Sequence, residues 1–188
     1  MAAGASRRMG RAKALLAWEG ETFLDRLIGL MQAACRDVIV VLGHGAAEIR
    51  GGLRREAVFV VNPDPGRGQL SSMQCALQAL PPDADSFLFT PVDYPAIAAS
   101  TVTRLLETLA AHPAQRIVIP RHEGRRGHPV ACRASLAAEF LSLPVTARTS
   151  DVIHSHAAET LYVDLDDRGI LTDIDDPQAY EALLASRA

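Results

Sequence analysis

Lysine is almost absent from this 188-residue chain: of 19 basic residues, 18 are arginine and one, Lys13, is lysine. The arginine excess reads as a compositional bias. Against it, a single lysine marks a position where a compact ammonium is wanted and a planar guanidinium is not. Cysteine is also scarce. Cys35, Cys75 and Cys132 lie far apart, which excludes a disulfide framework and a Cys-based zinc site and fits a reducing cytoplasm. No apolar run approaches the ~20 residues that a membrane helix needs. The opening residues have no apolar core of the kind a secretory signal requires. Net charge is only −3, so neither nucleic acid nor a membrane surface is expected as the main partner. Internal repeats, low-complexity tracts and linkers are missing as well, which leaves residues 1–188 as one expected domain.

What is present alternates. Short apolar runs ending in Gly or Pro occur at 37–42, 56–61, 86–90 and 115–119, and they read as buried strands. Between them, 22–35, 71–80 and 100–111 carry apolar residues at helical spacing. Asp176-Pro177 has the form of a helix start, with a capping Asp and Pro in the first turn. A later strand is expected over 160–164, and 123–127 reads as a turn between two strands. Strands without polar alternation, separated by helices, predict a mostly parallel sheet covered on both faces.

In such sheets ligands lie beyond the carboxyl ends of the strands. The first candidate loop, Gly4-Ala-Ser6-Arg-Arg8-Met-Gly10-Arg-Ala-Lys13, is Gly-flanked and basic. Its amides can approach phosphate oxygens, and Arg8 and Lys13 can neutralise them. A frayed basic terminus is the plainer alternative. Gly43-His44-Gly45 resembles part of a dinucleotide fingerprint but reads more simply as a turn. The Asn62–Ser72 segment is a Gly-rich loop entering a helix. Its Ser71 and Ser72 either face a base or phosphate or, for Ser71, merely cap the helix. Asp93, between prolines at a strand end, suits magnesium. Asp173 and Asp175 point the same way if their segment is extended, and either could supply a second ligand. Gly127-His128-Pro129 is a tight turn bearing an imidazole. His154 and His156 do not share a helix face, so no zinc site is expected there.

Together these loops, in this order, resemble the MobA-like nucleotidyltransferases over nearly the whole chain, and within them the molybdenum cofactor cytidylyltransferases. The resemblance implies a Rossmann-like three-layer α/β fold and Mg2+-dependent transfer of a nucleotide, CMP from CTP (or GMP from GTP), to the terminal phosphate of a molybdopterin-type cofactor. Pyrophosphate would be released, and a molybdoenzyme would receive the product. It assigns Arg8 and Lys13 to the triphosphate, Ala2, Ala3, Gly4 and Ser6 to the nucleotide loop, and Ser71 and Ser72 to the base. Asp93 takes the metal with Asp175, and Asp173 is the fallback. Gly127, His128 and Pro129 fall on the acceptor side. Ala2-Ala3-Gly4 goes with CTP, because a side chain at Ala3 narrows the base pocket. A sugar-phosphate or alditol-phosphate acceptor and a non-catalytic carrier are the alternatives. One departure stands out: the family has an apolar strand directly ahead of Ala2, where this chain has Met1. The expectation is a central sheet without its first strand, with the start of the chain assigned too late.

Overall fold

In a computed structural model, residues 1–186 are described. The strands are β1 (Ala17–Trp18), β2 (Glu21–Thr22), β3 (Ile39–Leu42), β4 (Val58–Val61), β5 (Ser86–Phe89), β6 (Ile117–His122), β7 (Arg125–Arg126), β8 (Val130–Arg133) and β9 (Thr160–Asp164). The helices are α1 (Phe23–Gln32), α2 (Ala46–Gly52), α3 (Gln69–Gln78), α4 (Ala99–Ala111), α5 (Ala137–Ser142), α6 (Thr149–Ser155) and α7 (Pro177–Ala185). No described helix is long and apolar enough to cross a membrane.

The sheet is mixed but keeps the expected α/β plan. β3 pairs parallel with β4, and β6 pairs parallel with β9. β8 runs antiparallel between β5 and β6. The turn expected over 123–127 falls between β6 and β8, with the two-residue β7 folded back on β6. Residues 1–3 join the two halves of the sheet. Ala2 pairs with Leu42 and donates to the Val41 carbonyl at 2.8 Å. On the other side the Met1 carbonyl accepts from Val92 N–H at 3.0 Å.

Helices cover both faces because successive strand residues point to opposite sides. In β6, Ile117 and Ile119 belong to the cluster with α3, α5 and α6, through Leu70, Met73, Phe140 and Val152. Val118 between them packs with Leu105 and Leu109 of α4. The largest cluster carries α1, with Phe23, Leu24, Leu27 and Ile28, together with Val40, Val102 and Leu183. Two helix starts follow side-chain chemistry. Thr22 caps α1 by accepting from Asp25 N–H, and Asp176 caps α7 by accepting from Ala179 N–H. Gly45, at φ 68°, turns the chain out of β3 into α2. That conformation favours glycine, so the Gly43–Gly45 pair is the plain turn.

Candidate active site

The loop after residues 1–3 is held by its own backbone. Ser6 has φ 48°, an uncommon conformation for a residue with a side chain, and its carbonyl accepts from Met9 and Gly10 N–H. Its hydroxyl accepts from Lys13 N–H at 3.1 Å. The loop therefore closes on the residue it presents. Lys13 opens a short 3-10 turn and is only 8% exposed. Its ammonium donates to Asp93 Oδ2 at 3.1 Å and to Asp175 Oδ1 at 2.5 Å. Arg8 donates to the other Asp175 oxygen at 2.5 Å from an exposed position.

These contacts draw together segments that are 80 and 162 residues apart. Asp93 sits in the turn after β5, and its carbonyl accepts from Ile174 N–H at 2.9 Å. That bond anchors the 173–175 segment beside it. One carboxylate oxygen each from Asp93, Asp173 and Asp175 lies within 4.8 Å of the others. Three hard oxygen donors at that spacing suit a divalent cation of the magnesium or manganese type.

Electrostatics follow from the packing. Burial works against the Lys13 ammonium, but hydrogen bonding and attraction from Asp175 and Asp93 outweigh it and hold its pKa above the ordinary value. Burial raises Asp93, with Lys13 opposing. Burial likewise raises Asp173, reinforced by Asp175 and Asp93. Asp175 is lowered, chiefly by the hydrogen bond from Lys13. The lone lysine thus favours the ionised form of both carboxylates it bonds, outweighing burial at Asp175 but not at Asp93.

A cavity of about 570 Å3 opens over this cluster, lined among others by Ala3, Gly4, Ser72, Tyr94 and His128. Ser71 and Ser72 stand on its α3 side. Both are buried, and both accept from the Asn62 side-chain amide, at 2.8 and 3.0 Å. Ser71 is not the helix cap. α3 begins at Gln69 after Gly68, whose φ of 88° makes the turn, and the Ser71 hydroxyl donates back to the Gly68 carbonyl. Gly127 packs where a Cβ would run into the Ile170 backbone, which brings His128 to the cavity wall with its ring 4.7 Å from that of Tyr94. His154 and His156 take no part. The His156 ring lies between Glu139 and Glu159, at 2.6 and 2.5 Å.

Burial pushes the His128 imidazole down to about 4, against the Phe89 carbonyl. Its Nδ1 is buried without a hydrogen-bond partner among the described residues. An unfolded histidine titrates near 6.5. As pH falls from about 6.5 toward 4, the unfolded chain therefore takes up this proton first, and stability is lost across that window. The expected loss is on the order of 3 kcal/mol. His128→Leu should flatten the decline in Tm between about pH 6.5 and 5. An unchanged slope would place the acid sensitivity elsewhere.

Residues 1–160 match the family described as the MobA-like NTP transferase domain. The chain belongs to that family. As a MobA-like transferase it is similar to the molybdenum cofactor cytidylyltransferase of Escherichia coli strain K12. The two are 27% identical over 183 residues, covering 95% of this chain and 90% of the relative. It is also similar to a probable molybdenum cofactor guanylyltransferase of Bacillus cytotoxicus, at 30% identity over 128 residues. That match covers 67% of this chain and 62% of the relative. Its fold matches a Mycobacterium tuberculosis H37Rv protein crystallised as a complex with manganese, with TM-score 0.76, 24% identity and coverage of 98% and 95%. As a nucleotidyltransferase of this family, the chain places its acidic cluster and its basic loop at the same cavity.

Every residue expected at the site lies at or beside that cavity. Ala2, Ala3, Gly4, Ser6, Arg8, Lys13, Ser72, Asp93, His128, Asp173 and Asp175 line it. Ser71 lies behind Ser72, and Gly127 and Pro129 flank His128. Sequence reasoning missed Asn62 and Tyr94. Asn62-Pro63 reads as a turn, yet the Asn side chain holds both serines. Tyr94 follows Asp93 directly, and that adjacency was the available signal. Burial, with Asp173, Asp93 and Asp175 nearby, pushes the Tyr94 phenol up to about 12, so it remains a neutral hydrogen-bonding group at the cavity wall.

Proposed function

We propose that this chain, acting as one transferase unit, moves CMP from CTP onto the terminal phosphate of a molybdopterin-type cofactor and releases pyrophosphate. The observation that carries the reading is Lys13, a buried ammonium bonded to Asp93 and Asp175 at the mouth of a Gly-flanked basic loop. The naming of the relatives as cytidylyl- and guanylyltransferases supports the substrate class.

The nucleophile is an oxygen of the acceptor phosphate, already anionic, so no strong base is needed. It forms a new bond to the α-phosphorus, and the bond from that phosphorus to the β-bridging oxygen breaks. The leaving pyrophosphate carries the electron pair. The physical difficulty is holding two anions together, so positioning and charge stabilisation do the work. Lys13 and Arg8 neutralise the leaving group. Backbone amides of the Gly4–Ser6 stretch approach the phosphates. Asp93 and Asp175 would hold magnesium, with Asp173 as the alternative third oxygen; bound there, the ion supplies charge neutralisation at the phosphates. His128 and Tyr94 border the acceptor side, where the imidazole stays neutral and hydrogen-bonds without adding charge.

The test is pyrophosphate release with magnesium and each NTP in turn, with and without the molybdopterin-type cofactor. Release with CTP that requires the cofactor is the expected result. Release that ignores the cofactor, or that needs a sugar phosphate instead, would overturn the acceptor assignment.

Base selection rests on Ala3, which is 5% exposed and borders the cavity. Its methyl takes room that a purine would need. Ala3→Gly is expected to raise the GTP/CTP ratio of kcat/KM by about 10-fold, the scale of one methyl's worth of packing. An unchanged ratio would place selection on other residues.

A further inference from the structure

The cavity over the acidic cluster has two unlike walls. Its lysine and arginines, Arg7, Arg8 and Lys13, all come from the basic N-terminal loop. On the other side the turn after β5 and the 173–175 segment bring Asp93, Asp173 and Asp175, with Tyr94 and His128 beside them. Among the described residues that wall carries no Lys or Arg. A phosphate entering there meets carboxylates, and the side chains open to donate to it are few. His128 is turned inward. Its Nδ1 is buried without a partner, and its ring packs edge-on against Phe89, with centroids 6.3 Å apart.

Tyr94 is the opposite case. Its backbone is pinned on both sides. The Asp93 carbonyl accepts from Ile174 N–H at 2.9 Å, and the Pro95 carbonyl accepts from Arg26 Nε at 2.9 Å. Its ring leans on the His128 imidazole at 4.7 Å and packs against the cluster that carries α1. Packing, and no bond of its own, therefore fixes where the phenol sits. Among the described residues nothing bonds the phenol oxygen, and that oxygen is not shut away from solvent. A hydroxyl held in place at a cavity wall, unpartnered and reachable, is free to donate to a ligand. A phenol also suits this wall better than a cation. Lys13 and Arg8 bond Asp93 and Asp175 directly, whereas a neutral O–H beside the same carboxylates forms no ion pair that a ligand would have to break.

We propose, on the transferase reading above, that Tyr94 recognises the acceptor: its phenol donates to a non-attacking oxygen of the acceptor's terminal phosphate, which makes the acceptor class a phosphate monoester. Such a phosphate has three terminal oxygens. One attacks the α-phosphorus, and the others remain for donors. Donation to a non-attacking oxygen leaves the lone pair of the attacking one untouched. No proton leaves the phenol, and no covalent bond forms or breaks there. The bond is charge-assisted, since its acceptor is an anion. It is made in the bound ground state and kept in the transition state, so its loss falls on acceptor binding and spares the chemical step.

Methyl phosphate is the probe, with magnesium and α,β-methylene-CTP filling the nucleotide side so that no turnover occurs. In the wild-type chain the 13Cζ resonance of Tyr94 should move on titration with methyl phosphate, while those of Tyr162 and Tyr180 stay in place. Tyr94→Phe keeps the ring on His128 and removes only the hydroxyl. It is expected to bind methyl phosphate about 10-fold more weakly, the scale of one hydrogen bond to a charged group. In turnover the same variant should raise the KM for the acceptor by about 10-fold, with kcat and the KM for CTP within about 2-fold of wild type. An unmoved Tyr94 resonance, or equal methyl phosphate affinity in the two forms, would overturn the proposal. A Tyr94→Phe enzyme whose KM for CTP rises instead would also overturn it, because the phenol would then belong to the triphosphate. The resonance and affinity measurements need no nucleotidyl transfer. Their failure with pyrophosphate still released would remove Tyr94 alone. Their success without pyrophosphate release would keep the phosphate site and remove the transferase reading.

Discussion

Lys13→Ala is expected to lower nucleotidyl-transfer turnover by about 10²-fold or more, the scale of removing one donor aimed at developing charge. The magnitude follows from where the ammonium sits. It is almost fully buried and bonds two carboxylates, so its charge acts in a medium less screened than water. Lys13→Arg should not rescue activity, because the planar fork is larger and cannot occupy the same point between Asp93 and Asp175. A second readout separates this role from a structural one. Without the ammonium, Asp93 and Asp175 lose their shared counter-charge, and the variant should bind a divalent cation more tightly while turning over more slowly. Near-wild-type turnover, or a loss of activity together with weaker cation binding, would remove Lys13 from its assigned role.

Asp93→Asn is expected to abolish magnesium-dependent activity, by about 10³-fold, and to leave the fold intact. The amide keeps the size of the carboxylate and can still accept from Lys13 through its oxygen. It loses the anion. The backbone role of residue 93, accepting from Ile174 N–H, is untouched, so circular dichroism should match wild type. Asp175→Asn should lose activity to a similar extent, and Asp173→Asn far less, because Asp173 is exposed and makes no bond to Lys13. Reading activity against magnesium concentration for the three variants decides the pair. An active Asp93→Asn enzyme would take Asp93 out of the metal site, and an Asp173 effect equal to that of Asp175 would make the third carboxylate a full ligand.

The strands were legible because Val/Ile-rich runs such as 39–42 and 58–61 end at Gly43 and at Asn62-Pro63. The sheet's antiparallel member β8 could be read only as the far arm of a turn, since a four-residue run does not state its direction. α5 and α6, of six and seven residues, are too short for periodicity to mark. The site was legible loop by loop, because Gly, Pro, Asp and Lys cluster where strands end. What the pattern could not supply was mutual placement. It left Asp173 and Asp175 open as alternatives, and folding brings both within reach of Asp93. Ser71 was misjudged as a possible cap because a positive φ at Gly68 starts the helix two residues earlier. Asn62 was missed because its side chain acts through two buried hydroxyls, a tertiary effect with no local signature.

The pairing of Lys13 and Arg8 with the acidic cluster also has a kinetic meaning. Seen from a distance, the basic side chains lining the cavity, Arg7, Arg8 and Lys13, are matched by Asp93, Asp173 and Asp175, so the cleft projects little net field. A free triphosphate is not drawn in from far away, and its capture depends on ordinary collision at the pocket. Cation loading breaks that balance and turns the cleft attractive to polyanions at short range, within roughly a Debye length of 8–10 Å. The same contacts that keep the resting cleft quiet therefore make it selective for nucleotide arriving with, or after, its counter-ion.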